Sequence, residues 1–288
     1  MTLILALVLA LAPAADPYLQ SIAEWRRARE ARLTSETGWL TVAGLEWLKE
    51  GRNTLGSSPS SDVALPAPVP AAAGTIIVEG RSVEFVAAKG VAPTLDGKPV
   101  QRLALEPDET ALEIGSVTFS VIERAGRLGV RIRDRNAPAR RNFSGLNWYP
   151  ADPRWRVRAK LVPPAAPRRV TIATIVGDQI DMESAGELVF TLDGRELRIE
   201  ALFESDERRE LFLMFKDRTN GDATYGAGRY MYVPVPGDGR VDLDFNKAYN
   251  PPCAYTDFAT CPLPPSQNWL PVPIEAGEKN YKSTSEND

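Results

Sequence analysis

The side chains that could do chemistry are concentrated in the last quarter of the chain, in a frame rich in Gly and Pro. The segment contains Asp217, Thr219, Asp222, Thr224, Tyr225, Arg229, Asp244, Asn246, Asn250, Tyr255, Asn268, Glu278 and Lys279. Polar groups on such irregular but braced backbone can form a rigid site. The same residue types also cap turns and close loops, so a purely structural role is an equal alternative.

Two kinds of organic site fit these residues. The first is a pocket for a carboxylate, a sugar or a polar headgroup, whose predicted ligand-binding residues are Tyr225, Arg229, Asn246, Asn250 and Lys279. The second is a hydrolase in which two carboxylates act as acid and base or as nucleophile, as in glycosidases. Its candidate catalytic residues are Asp217, Asp244 and Glu278.

A metal site is a third interpretation. The run from Asp217 to Asp222 alternates oxygen-bearing side chains, faintly like a calcium loop. It lacks the third acidic position and the terminal Glu of the EF-hand spacing. We therefore predict no metal and no cofactor.

The chain of 288 residues contains no histidine. This excludes Ser-His-Asp and Cys-His hydrolysis, His-ligated zinc and the two-His-one-carboxylate iron sites. Carboxylates, Lys or Tyr bases, a Ser-Lys pair and oxygen-ligated metals remain. Whether the protein is an enzyme stays open at this point.

The only two cysteines are Cys253 and Cys261. In an oxidising compartment they would form a disulfide, which over so short a loop stabilises by about 2–3 kcal/mol. The alternative is a zinc site, which would need two further ligands, none of them His. Asp257 lies between the cysteines, but zinc sites of cysteine and carboxylate are rare.

The N-terminus resembles a signal peptide. Leu3 to Ala12 is an uninterrupted apolar run, followed by small residues up to Ala15, although no Lys or Arg precedes it. The run is too short to span ~30 Å of hydrocarbon. We predict a signal peptide over residues 1–15, export to the periplasm or the extracellular space, and no transmembrane segment after its removal. The alternative is a buried N-terminal element.

Charge is segregated along the chain. Residues 124–169 carry a net charge of +11 and residues 178–222 a net charge of −7. Cations alternate with apolar residues, and so share one strand face, at Arg131, Arg133, Arg154, Arg156, Arg158 and Lys160. They either bind an anionic polymer or pair with neighbouring acidic strands, and we favour the pairing. The overall net charge of −4 argues against nucleic acid as a partner.

The remaining sequence predicts one helix and many strands. Asp16-Pro17 is a helix start, and Tyr18, Ile22 and Trp25 would share one face of a helix ending near Leu33. Short runs rich in Val, Ile, Leu, Phe and Thr follow, separated by many of the 24 Pro and 21 Gly. Asp-Gly pairs at residues 96–97 and 193–194 predict hairpin turns.

Residues 51 to about 122 resemble a forkhead-associated β-sandwich. The resemblance lies in Gly51-Arg52-Asn53-Thr54-Leu55-Gly56, Ser61-Asp62-Val63-Ala64-Leu65-Pro66, Asp96-Gly97-Lys98-Pro99-Val100 and Leu112-Glu113-Ile114-Gly115. Forkhead-associated domains bind phosphothreonine. Here Ser57 stands in place of the phosphate-binding Arg, Asp96 replaces an Asn, and the Ser-x-x-His stretch has no counterpart. The resemblance implies the fold and argues against a phosphopeptide partner.

From Trp39 to Lys279 the chain resembles the bacterial domain-of-unknown-function family 1684. The resemblance lies in Gly38-Trp39-Leu40-Thr41, Asn53-Thr54-Leu55-Gly56, the region from Pro153 to Val157, and the segments 217–225, 228–230, 242–255, 261–265, Asn268 and 276–279. It implies relatives but no reaction, because the family has no assigned activity.

We therefore predict a mostly β fold, in which a forkhead-associated-like β-sandwich packs with a second antiparallel β unit and one N-terminal helix. The predicted divisions are 1–15 (signal peptide), 16–50 (helix and strand), 51–145 (sandwich), 146–282 (second β unit) and 283–288 (disordered tail). The predicted function is an exported binding or structural protein for a polar or anionic envelope ligand, small or polymeric. The alternative is a His-independent carboxylate hydrolase acting on a carbohydrate or envelope polymer.

Overall fold

The computed structural model describes residues 16–281. The predicted signal peptide (1–15) and the predicted tail (283–288) lie outside the described residues.

The N-terminal helix, α1 (Pro17–Thr34), is confirmed. The Asp16 carboxylate accepts the backbone N–H of Tyr18 at 2.8 Å, which caps the helix start, and Pro17 has no N–H to leave unpaired. Ile22 and Leu33 are each 1% exposed and fix the buried face. Among residues 16–281, none of the helices combines the length and the apolar character that a membrane crossing requires.

The first half of the chain forms a sandwich of two sheets. In sheet order, the six-stranded sheet contains β1 (Val42–Trp47), β11 (Arg127–Asp134), β10 (Val117–Arg124), β9 (Ala111–Ile114), β6 (Thr94–Leu95) and β7 (Lys98–Pro99). The five-stranded sheet contains β3 (Val63–Ala64), β2 (Gly51–Gly56), β4 (Gly74–Glu79), β5 (Ser82–Ala87) and β8 (Arg102–Ala104). All the sandwich pairings are antiparallel except that between β2 and β3.

The core between the two sheets decides which side chains of β11 point outward. Val130 and Ile132 are buried in this core, against residues such as Phe85 and Phe119. Since side chains alternate along a strand, Arg131 lies on the opposite face of the sheet. That face meets the second half of the molecule.

The second half is built on a seven-stranded antiparallel sheet. Its path is β17 (Arg229–Pro234), β16 (Glu210–Phe215), β15 (Arg195–Phe203), β14 (Gln179–Leu192), β12 (Arg156–Val162) and β18 (Arg240–Asp244), while β13 (Arg169–Ala173) also pairs with β14. A bulge between Ser184 and Gly186 divides β14. Its first part pairs with β13, and its second part pairs with β12 along the same edge.

Both faces of this sheet are covered. On one face the C-terminal segment (residues 245–281) buries Leu270, Val272, Ile274 and Ala276 against the strands. The segment has little regular structure beyond the 3-10 turns Phe245–Lys247, Pro252–Ala254 and Ser266–Asn268. The other face carries Phe212 and Tyr230, packs with Cys261, and is turned toward the sandwich and α1.

Short elements complete the chain between the two halves. They are the 3-10 turns Trp39–Thr41 and Pro153–Trp155 and the short helix α2 (Pro138–Arg141). Both predicted Asp-Gly hairpins form, and Asp96 and Asp193 adopt φ of 51° and 48°, as such turns require. The mostly β fold with a sandwich, a second antiparallel unit and one N-terminal helix is confirmed.

Candidate functional site

Arg229 is an internal anchor of the fold. Its side chain is 0% exposed, and its guanidinium donates to Asp217 Oδ2 at 2.6 Å. It also donates to the carbonyls of Ile274, at 2.9 Å, and Ala276. This one residue ties the start of β17 to the loop after β16 and to the C-terminal segment. A ligand cannot reach it, so the structure gives no support to a pocket centred on Arg229.

The other residues predicted to bind ligand with Arg229 lie in separate clusters. Tyr225 donates its hydroxyl to the Cys253 carbonyl at 2.9 Å. The Asn246 amide donates to the Tyr18 hydroxyl and to the Asp152 carbonyl, both at 2.8 Å, and so fastens α1 to the second unit. These side chains face no common concavity with Arg229.

Asn250 belongs to a buried cluster around Glu278. Its amide donates to Glu278 Oε1 at 2.9 Å and to the Lys279 carbonyl at 2.8 Å. The Tyr255 hydroxyl also donates to Glu278, and Arg29 Nε lies 3.6 Å from Glu278 Oε2. Burial raises the pKa of the Glu278 carboxyl, and the positive charge of Arg29 opposes that rise. This cluster joins α1 to the end of the chain.

The three candidate catalytic carboxylates are likewise separate and internal. Asp217 accepts a hydrogen bond from Arg229 and another from the Thr219 hydroxyl, the latter at 2.6 Å. Asp244 accepts the Tyr18 hydroxyl at 3.0 Å, and Glu278 is 0% exposed. A glycosidase needs two carboxyl groups across an open cleft. Each of these groups instead accepts hydrogen bonds inside its own cluster, so nothing here favours the hydrolase.

The loop after β16 is a hydrogen-bonded turn. The Asn220 amide donates to the Tyr225 carbonyl at 2.7 Å, and its oxygen accepts the Asp217 N–H at 2.6 Å. The oxygens that resembled calcium ligands in the sequence therefore take part in hydrogen bonds within the loop. Across residues 16–281, no group of three or more Cys, Asp or Glu side chains is placed to hold a metal ion.

The two cysteines are neighbours. The backbone N–H of Cys253 donates to Cys261 Sγ at 3.2 Å, and the two sulfurs are not bonded to each other. Cys261 is 4% exposed and lines the cavity described next.

One concavity, lined by residues of both halves, lies between the sandwich, α1 and the outer face of the second sheet. It has a volume of about 550 Å³. Arg131 of β11 and Trp39 contribute from one side, and Tyr230, Tyr232 and Tyr249 contribute from the other. Its size falls in the range of about 300–1,000 Å³ that is typical of small-molecule sites.

Arg131 is the unusual residue of this cavity. It is only 7% exposed, yet within residues 16–281 its side chain has no hydrogen-bond acceptor and no ion-pair partner, and its buried Nε is unpaired. Its guanidinium carbon lies 5.1 Å from the centre of the Trp39 ring. Burial, with repulsion from Arg124 and Arg133, lowers the pKa of Arg131 to about 10.

The other buried arginines also have an Nε without an acceptor, but each has a carboxylate partner. Arg229 has Asp217, and Arg29 has Glu278 together with the Asn250 carbonyl. Next to Arg131 the imbalance increases, because Arg133 also has an unpaired Nε and no ion-pair partner among the described residues. A buried charge without a partner is costly. Arg131, which lines the cavity as Arg133 does not, therefore gives it a positive, under-coordinated floor suited to an anionic group.

Comparison with known families places the second half of the chain. Residues 141–279 match the family model described as "Protein of unknown function (DUF1684)". An uncharacterized protein of Haloarcula marismortui, solved by NMR, is 37% identical over 49% of this chain and 80% of its own length, with a TM-score of 0.42. The chain belongs to the DUF1684 family. No curated protein matches it.

The DUF1684 segment supplies only part of the cavity. Tyr230, Tyr232 and Tyr249 lie inside the matched range, whereas Trp39 and Arg131 lie before it. The cavity of this DUF1684 protein is therefore assembled from both halves of the chain.

Solved forkhead-associated domains are similar to the first part of this DUF1684 protein. A domain from a study of phosphothreonine-dependent interactions is 19% identical and covers 31% of this chain and 92% of its own, with a TM-score of 0.23. The FhaA domain, crystallised with the intracellular domain of another protein, has the same identity and TM-score and is covered over 97% of its length.

Sequence reasoning missed the cavity but noticed one of its residues. The alternation of Arg131 with Val130 and Ile132 indicated a cationic strand face. The structure shows that this face is covered by the second unit, so the cation is enclosed. The strand that looked most cationic is different, because Arg156 and Arg158 both pair with Asp242, at 2.6 and 3.0 Å. For these two residues the pairing interpretation describes the structure.

Substitution of Asp217 tests its anchoring role. Asp217→Asn would leave the Arg229 charge buried without a counter-ion, so we expect a loss of about 3–5 kcal/mol in the free energy of unfolding, measured by urea denaturation. Asp222→Asn, in the same loop but exposed, is the matched control and should be nearly neutral. Equal stability of the two variants would contradict the assignment.

Proposed function

We propose that this protein is an exported binding protein that holds a small anionic ligand in the cavity floored by Arg131. The observation that carries the proposal is the buried guanidinium of Arg131, which has no protein partner within residues 16–281 and lines a cavity of about 550 Å³.

The electrostatics of the floor favour an anion. A guanidinium offers donors in a planar fork that matches a carboxylate or a phosphate. Arg131 and Arg133 place two cations without a direct ion pair among the described residues close together, and each is partly removed from water. An anion bound here would relieve the desolvation of Arg131 and the repulsion between the two side chains.

The geometry favours a small ligand over a polymer. The cavity is bounded by α1, the sandwich and the second sheet, and its volume of about 550 Å³ is that of a small-molecule site. Three of the exposed cations that could have tracked a polymer are engaged, since Arg154 lies 3.3 Å from Asp152, and Arg156 and Arg158 share Asp242. A compact anion fits this arrangement better than an acidic polysaccharide.

The apolar run from Leu3 to Ala12 and the small residues that follow it support export. The adjacent cysteines support a disulfide in the exported protein, because Cys253 and Cys261 already lie side by side. Forming it passes two protons and two electrons to the oxidising system of that compartment. An exported anion-binding protein would encounter ligands of the cell envelope or its surroundings.

Replacement of Arg131 is the central test. Arg131→Gln keeps much of the side-chain volume but removes the charge, so we expect binding of benzoate, sulfate and inorganic phosphate to fall below detection. Because the variant no longer buries an unpaired cation, its unfolding free energy without ligand should rise by about 1–3 kcal/mol. Thermal unfolding with and without each anion measures both effects.

The matched control is Arg141→Gln, which removes the same formal charge at an exposed position of α2 away from the cavity. It should respond to anions like the unsubstituted chain. If Arg131→Gln also keeps the full response, or if none of the three anions stabilises the unsubstituted chain, the binding proposal is wrong.

Export predicts a processed N-terminus. When the full chain is expressed with access to the secretion machinery, mass spectrometry of the exported fraction should find a mature protein beginning near Asp16. Substituting Ala12 and Ala14 by bulky residues should block processing, because signal peptidase requires small side chains at the cleavage site. Recovery of the unprocessed chain from the cytoplasm alone would refute export.

The disulfide predicts a mass lower by two hydrogen atoms per chain in protein recovered from an oxidising compartment, with no thiol available to alkylation. Reduction should restore both thiols. Cys253→Ser is the control, and it should leave Cys261 as a single alkylatable thiol after unfolding. Two free thiols in the oxidised preparation would exclude the bond.

A further inference from the structure

We propose that the ligand is a small zwitterion, with its anionic group on Arg131 and its cationic group at an acidic, tyrosine-lined mouth of the same cavity. The inference rests on the anion site proposed above and adds the second charge of the ligand.

The mouth of the cavity is acidic. Asp181, Glu204 and Asp206 line it, and all three are exposed, in contrast to the enclosed Arg131. Within the described residues none of the three forms an ion pair with Lys or Arg. The Asp181 carboxylate accepts the Thr171 hydroxyl at 2.7 Å, its backbone carbonyl accepts Arg169 at 2.5 Å, and Glu204 accepts the Tyr232 hydroxyl. The exposed Arg169 also lines the cavity, so three carboxylates outnumber one exposed cation at the mouth, while the enclosed charge of Arg131 is positive.

Tyrosine rings line the same cavity as these charged groups. Tyr232 and Tyr249 stack with their centres 6.4 Å apart and their planes at 19°, and the centres of Tyr230 and Tyr249 lie 6.1 Å apart with their planes at 82°. The faces of such rings attract cations. Tyr249 already shows this preference, since the guanidinium of Arg29 lies 4.5 Å from its centre. Tyr232 is 38% exposed and adjoins Glu204, so it can offer a face to a ligand cation.

A ligand that carries charge of only one sign pairs either with Arg131 or with the carboxylates at the mouth, but not with both. A simple anion that reaches Arg131 must pass and then remain near three exposed carboxylates. A simple cation held at the mouth leaves Arg131 without a partner, and Arg133 adds to the positive potential behind it. A zwitterion pairs its anionic group with Arg131 and its cationic group with the carboxylates at the mouth, and it adds no net charge. The order of the charges in the cavity fixes its orientation, with the anionic end innermost.

The experiment uses the full chain and a ladder of soluble probes. The zwitterions are unbranched ω-amino acids from glycine to 6-aminohexanoate, each compared with the carboxylate of the same length that lacks the amine and with the amine that lacks the carboxylate. Affinities are measured by saturation-transfer NMR and thermal shift. We expect one chain length to bind best, about three- to tenfold more tightly than its matched carboxylate. Glycerophosphocholine is included to distinguish a lipid headgroup from a free amino acid as the source.

Two variants separate the two ends of the site. Glu204→Gln with Asp206→Asn should abolish the preference for the zwitterion, while the matched carboxylate binds at least as tightly as before because two repelling charges are gone. Glu207→Gln, exposed in the same segment but outside the cavity, is the control and should keep the preference. Arg131→Gln should lose both ligands.

The possible outcomes distinguish the zwitterion from the anion site on which it rests. If every carboxylate binds as tightly as its amino acid and binding still depends on Arg131, the zwitterion is refuted and the anion site stands. The same holds if the Glu204 and Asp206 substitutions leave the preference intact. If no probe binds in an Arg131-dependent manner, both inferences fail. Binding of glycerophosphocholine above all amino acids supports the zwitterion and assigns it to a lipid headgroup.

Discussion

The ion pair between Arg229 and Asp217 is the constraint on which the second half of the molecule depends. Neither side chain is reached by solvent, and the guanidinium also binds two carbonyls of the C-terminal segment. A buried pair of this kind adds little net stability over an apolar pair, but it is costly to break on one side. It therefore fixes where the C-terminal segment lies. Once the end of that segment is fixed over the sheet, its earlier residues, including Tyr249 and Cys261, reach the cavity.

Three buried arginines show how one residue type serves two purposes. Arg29 and Arg229 join distant parts of the chain and have carboxylate partners. Arg131 has no such partner among the described residues and opens on a cavity. Stable folds compensate their buried charges, and exceptions gather where a ligand completes the set. The contrast between compensated and uncompensated arginines is therefore more informative than burial alone, and it moves the candidate site from the C-terminal polar segment to the junction of the two halves.

The polar C-terminal segment was the strongest chemical signal in the sequence, and the structure explains why. A long segment without regular secondary structure must satisfy its backbone groups by other means. Asn268 illustrates this, because its amide donates to the carbonyls of Met214 and Glu200 while its oxygen accepts the Glu200 N–H. The Asp, Asn and Tyr side chains of this segment form hydrogen bonds with backbone groups that have no partner strand. The polar residues of this segment therefore hold the fold together.

The sequence by itself determined the local structure, because local structure depends on neighbours along the chain. The capped start of α1, the Asp-Gly turns and the outward alternation of Arg131 with buried Val130 follow from short-range sterics and from periodicity. Only the tertiary structure decided which polar residues are partnered. Arg29 meets Glu278, and Tyr18 meets Asp244, across more than two hundred residues of chain. Their pairing depends on how the helix, the sandwich and the second sheet close on one another. The same packing leaves Arg131 without an ion-pair partner among residues 16–281. The alternation of residues within its own strand could not have shown that.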